Sequence, residues 1–196
     1  MTRTWGGTTL DARRAARREK LLAAGLELLG TAGSAAVSVR AVCRHAKLTE
    51  RYFYEAFADR EELVLAVYEQ VAAQARQALI DAVPDARADA AARAEAAVTA
   101  FVELMVDDPR KGRVLLLAPI TDPALSARGV ALLPAFAALI REQLPDRLDH
   151  ADREMTAAGL VGALTNLFTG YLGGGLKVSR GRLIAHCVNL LARAGS

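Results

Sequence analysis

Apolar positions recur along this chain at three- and four-residue intervals almost from end to end, and the period of two that marks a half-buried strand is nearly absent. The pattern predicts an all-α protein of about nine helices. A first helix runs through Leu21, Leu22, Leu26, Leu28 and Leu29 and closes at Gly33. Two short helices follow, broken at Lys47-Leu48. Val42 and Ala46 fall one turn apart on the first of them, and Phe53 and Phe57 one turn apart on the second, so each has an apolar stripe to bury against the other. Ser38 and Thr49 carry oxygens able to accept a first-turn amide, and each predicts a helix start. Asp59 and Glu62 have capping-box spacing and open a long helix through Leu63, Val67, Val71 and Leu79 toward Pro84. Beyond Pro84-Asp85 the pattern predicts helices over about 86–106, 111–117, 123–144, 149–172 and 179–194. Pro119 is expected to stop the second of these, Pro134 to kink the third, and Gly173-Gly174-Gly175 to separate the last two.

The short pair has helix-turn-helix spacing. With Phe53 and Phe57 inward, Arg51 and Glu55 fall on the far side of the second helix and Tyr52 and Tyr54 flank them. Arginine can take a guanine edge bidentately, and tyrosine can reach a phosphate or a thymine methyl. A carboxylate facing phosphates is repelled, so Glu55 is expected at the helix end, turned away. An ordinary helical hairpin with amphipathic tyrosines has the same pattern. Charge adds to the first reading: residues 1–60 carry 11 Lys+Arg against 6 Asp+Glu, and residues 61–196 carry 14 against 16. A basic end on a near-neutral body is the asymmetry of a protein that meets a polyanion at one end, although a solvated basic face would look alike.

Residues 38–63, with an aromatic at Tyr54, Phe57, and then Arg60-Glu61-Glu62-Leu63, resemble the DNA-binding segment of the TetR family of bacterial transcriptional regulators. The first helix, Leu21 to Leu29 with Gly33 after it, is similar to that family's as well. Lys47 stands where the family has a turn glycine, and Tyr52 where a small or aliphatic residue is commoner. The resemblance implies a three-helix DNA-binding domain over residues 1–60 and an effector-binding and dimerisation domain over 61–196. It places Arg40, Thr49, Arg51, Tyr52 and Tyr54 on DNA, with Ser38 and Arg60 on phosphates. Arg60 is also expected to face outward from a helix N-terminus, where an anion is favoured. The Gly/Thr-rich arm Met1 to Thr9, with Trp5, is placed to lie in a minor groove, or is simply a frayed terminus.

The family's usual working mode implies a homodimer through the last two helices, a palindromic double-stranded operator, and a small effector whose binding releases DNA. Phe101, Met105, Leu116, Phe136, Phe168 and Tyr171 lie on several helices around Pro119 and Pro134, and an adaptable apolar wall of this kind suits such a pocket. Each of them would serve equally as plain core. Asn166, Thr165 and Thr169 are expected to orient the ligand, an apolar or cationic aromatic compound. Gly159, Gly162, Ala163 and Gly170 offer a close helix approach, and Leu183, Ile184, Cys187, Leu190 and Leu191 a matching stripe.

No cofactor or metal is expected, because His45, His150 and His186 lack ligand-spaced partners. No nucleophile elbow, dinucleotide fingerprint or zincin helix appears, so an enzyme is not expected. A helical-bundle enzyme with an incidental helix-turn-helix would need converging ionisable groups within 85–195, a region mostly Ala, Leu and Val. A ligand-independent DNA-binding regulator is the other alternative. Cys43 and Cys187 read as reduced buried thiols. The absence of a leader pattern and of an uninterrupted apolar span points to the cytoplasm.

Overall fold

The computed structural model of the chain describes residues 10–83, 89–145 and 147–195. Among these residues there are nine helices and no strand. They are α1 Leu10–Ala32, α2 Val39–Ala46, α3 Glu50–Tyr54, α4 Arg60–Ala82, α5 Ala90–Met105, α6 over residues 109–121, α7 Pro123–Arg141, α8 His150–Leu172 and α9 Arg180–Gly195. The arm at residues 1–9, and Pro84-Asp85 with the helix start expected at Ala86, lie outside the described residues.

Local sequence accounts for most of the boundaries. Ser38 Oγ accepts the Ala41 amide at 3.2 Å, Asp89 Oδ1 the Ala92 amide at 2.7 Å, and Asp149 Oδ1 the Asp152 amide at 2.8 Å. At the start of α4 Asp59 Oδ1 accepts from the Glu62 amide at 2.8 Å, as the capping box requires, while Glu62 Oε2 reaches one residue further back and accepts from the Ala58 amide at 2.6 Å. Thr49 sits at the N-cap of α3 but its side chain accepts no capping bond. That helix is also shorter than expected, ending at Tyr54, while the amide of Phe57 still bonds the Phe53 carbonyl. Lys47 takes the left-handed conformation, φ 54°, that ends α2.

Pro119 does not stop a helix. α6 continues through it to residue 121 because Arg113–Leu117 forms a π turn, in which the Ala118 amide bonds the Arg113 carbonyl one residue further back than in an α-helix. The register shift falls immediately before the residue that has no amide to give. Pro134 lies inside α7, as expected.

One apolar core runs from α1, α2 and α3 through α4 into α6 and α7, joining Leu21, Val42, Phe53 and Phe57 to Leu63, Val67, Val114 and Leu125. Two glycines permit the close approaches that tie this core to the rest. A Cβ on Gly30 would lie 2.7 Å from the Arg110 backbone, and one on Gly112 would lie 2.1 Å from the Met105 carbonyl oxygen. The first contact is reinforced by Arg110, which donates to Glu27 at 2.8 Å.

A second core joins Val98 and Val102 of α5 to Phe168 of α8 and to Leu183 and Cys187 of α9. The α9 stripe packs on α5 and also on α8, where Leu190 and Leu191 meet Ala157 and Leu160, while Gly159 and Gly162 of α8 have nothing within 4 Å of a built Cβ. Both cysteine thiols are buried and unbridged, and burial pushes Cys187 up to about 11.

Candidate functional site

The basic end of the molecule is built on α2 and α3. Ser38, Arg40, Thr49, Arg51 and Tyr54 are exposed there, Arg40 and Arg51 most of all, with side chains 91% and 84% accessible. Acidic neighbours hold both arginines: Arg40 Nε lies 3.5 Å from Glu50, and Arg51 Nε donates to Glu55 at 3.1 Å. These pairs are solvent-exposed and easily exchanged for phosphate or base contacts. Glu55 sits at the C-cap of α3 and also faces Arg17 of α1 at 3.6 Å, so its charge is matched from two sides. Tyr52 is half-buried, its ring under the Arg17 guanidinium at 4.4 Å. Arg18 stacks on Phe57 at 5.0 Å. Two arginines of α1 thus clamp α3 and the turn after it in place.

Arg60 differs from the outward-facing clamp that the sequence predicts. Its guanidinium turns back into the protein, donating to the Val37 carbonyl and the Ser34 carbonyl, both at 2.8 Å, and to the Ser34 hydroxyl. It also lies 3.6 Å from Asp122. Asp122 is 7% exposed and accepts from the Ser34 hydroxyl and from the Ala124 and Leu125 amides at 3.1 and 3.4 Å, capping α7. Burial pushes its pKa up. The hydroxyl and amide donors and Arg60 outweigh that and hold it below the ordinary carboxylate value. One buried carboxylate therefore ties the turn after α1, the first residue of α4 and the start of α7.

Behind this network lies a cavity of about 780 Å³ walled by α4, α5, α6, α7 and α8, with Leu191 of α9. Phe101, Leu116, Phe136, Asn166 and Phe168 line it, together with Thr165 and Thr169. Met105 and Tyr171 do not. Met105 is wholly buried in the first core, and Tyr171 packs in the second. Tyr68 lines the cavity too, and the sequence pattern does not mark it, because it shares a buried stripe of α4 with Leu63, Val64, Val67 and Val71 and reads as core. Leu79, Arg93, Val98, Pro119 and Leu132 are further lining residues of this kind, since a wall contributed by six helices leaves no local signature.

α7 is the most weakly held wall. Leu125 is its one buried residue, Val130 is 66% exposed and Leu133 40%. Among the described helices it is the one long and apolar enough to cross a membrane by length and composition, with a mean hydropathy of 1.6. Leu132, Leu133, Phe136 and Ile140 account for much of that hydropathy, and they line the cavity.

Residues 21–67 match the family described as bacterial regulatory proteins, tetR family. No curated protein matches the chain in sequence. Among solved structures, the chain is similar to the fatty acid degradation regulator FadR from Bacillus halodurans, at 14% identity and a TM-score of 0.72, over 90% of this chain and 94% of that one. It is similar to a TetR-like transcriptional regulator from Rhodococcus sp. RHA1, at 18% and 0.66, over 91% and 95%. The multidrug binding protein EbrR, solved with imidazole, gives 20% and 0.66 over 89% and 94%. Identities this low speak for the fold, and the matched segment speaks for the DNA-binding end. The helix-turn-helix lies in the segment that matches the tetR family of bacterial regulatory proteins, and along nearly its whole length the chain has the fold of TetR-like regulators.

Proposed function

We propose that the protein is a homodimeric repressor that binds a palindromic operator and leaves it when a small apolar ligand fills the cavity. Residues 1–60 serve as the reading head and residues 61–196 as the ligand-binding and dimerisation body, working in the cytoplasm. Arg40 and Arg51 read bases, Thr49, Tyr52 and Tyr54 complete the contact, and Ser38 binds phosphate. Arg60 contributes to phosphate binding only after exchanging Ser34 and Asp122 for DNA.

The observation that carries this reading is the placement of α4. Its first residue holds the head through Ser34 and Val37, and its further turns wall the cavity from Tyr68 to Val83. A ligand that parts α4 from α7 acts on both ends of the Arg60–Asp122 network at once. The likeness to a regulator named for fatty acid degradation and to a multidrug binding protein supports an apolar ligand. The open face at Gly159 and Gly162 supports a partner helix on α8, and a two-fold dimer sets two heads about 34–36 Å apart, one turn of DNA.

Linkage supplies the test. Ligands found by a melting-temperature screen of apolar compounds are expected to weaken operator binding by about 1–3 kcal/mol, and operator DNA to weaken their binding by the same factor. Ligands that raise the melting temperature and leave operator affinity unchanged contradict the mechanism.

A further inference from the structure

Tyr68 is 2% exposed, lines the cavity, and has no hydrogen-bond partner for its hydroxyl among the described residues. The hydroxyl oxygen is not sealed off with the ring but opens to the cavity, where the apolar wall residues Leu115, Leu116, Pro119 and Phe136 offer it no partner. The backbone of α7 at Gly129 stands close to it on one side. A Cβ on Gly129 of α7 would stand 3.2 Å from the Tyr68 oxygen, so glycine at that position keeps the hydroxyl from being covered.

We infer that the Tyr68 hydroxyl is the ligand-orienting group of this cavity, and that its ligand is an uncharged apolar molecule carrying an acceptor oxygen such as a ketone, ester or amide carbonyl. The inference rests on the cavity being the effector site. Burial pushes the phenol pKa up, an effect that Arg128 opposes, so Tyr68 keeps its proton and donates. The cavity offers little to a formal charge of either sign. Its two charged lining residues, Arg93 and Glu142, oppose one another in sign. Arg128, the cation near Tyr68, is already paired with Glu69 at 2.8 Å, so a desolvated ion beside the phenol is poorly compensated. The cationic aromatic class expected from sequence is thereby set aside in favour of a neutral one.

Benzophenone and diphenylmethane test this as a matched pair, two rings joined by a carbonyl in one and by a methylene in the other. Titration calorimetry on the full chain is expected to show benzophenone binding about tenfold more tightly than diphenylmethane, in line with one hydrogen bond recovered. Tyr68→Phe should bind the two alike with its melting temperature kept, because the hydroxyl it lacks bonds none of the described residues in the free chain. A variant that retains the benzophenone preference overturns the inference, as does wild-type protein that binds the two equally or binds neither. Operator release is measured separately: benzophenone bound through Tyr68 without release would support this assignment and contradict the repressor mechanism.

Discussion

Lys47 holds a left-handed backbone, φ 54°, at the corner between α2 and α3. A side chain there costs about 1–2 kcal/mol against the right-handed region, a strain that glycine avoids. Lys47→Gly is therefore expected to stabilise the protein by up to about 1 kcal/mol, after the added chain entropy of glycine, as a raised urea midpoint. On DNA the residue-scale differences are between sites: Arg40→Ala or Arg51→Ala should cost about 1–3 kcal/mol and relax preference at one base pair, read by binding to a panel of single-substitution operators. Caps such as Ser38, Asp59 and Asp149 are legible in sequence because donor and acceptor lie within one turn. The partners of Arg60 are not, since Ser34 and Asp122 are 88 residues apart in sequence and meet only in the fold.

At the scale of elements, periodicity identifies the helices and leaves their neighbours open. The stripe on α9 is readable and meets α8 as expected, but it also packs on α5, a partner the pattern does not name because any apolar stripe of similar length satisfies it. The rule that proline ends helices predicts a stop at Pro119, and the π turn at Arg113–Leu117 is what relaxes it. The close crossing of α1 and α6 at Gly30 makes a direct prediction. Gly30→Ala would place a methyl 2.7 Å from the Arg110 backbone and force the helices apart. A loss of about 1–3 kcal/mol, the usual cost of overpacking, is expected in urea denaturation, despite the better helix propensity of alanine.

Across the whole molecule, Asp122 joins the turn after α1 and the start of α4 to the start of α7. Its folded pKa is depressed below the ordinary 3.8, so its contribution to stability is present above that value and is lost as pH falls through the folded one. Asp122→Asn should therefore lower stability at pH 7 and make it less sensitive to acid below about pH 4, as read by urea midpoints across that range. The same variant should bind operator and ligand with reduced coupling between them. Self-association is expected through the open face of α8, and Gly162→Glu should yield a monomer mass by light scattering where the wild type gives a dimer. The central claim is sequence-specific operator binding, and the most direct measurement is fluorescence anisotropy with duplexes from upstream of the protein's own gene, at physiological salt. The account predicts a palindromic segment bound at least about a thousandfold more tightly than a random duplex of equal length. Equal affinity for the two would contradict it.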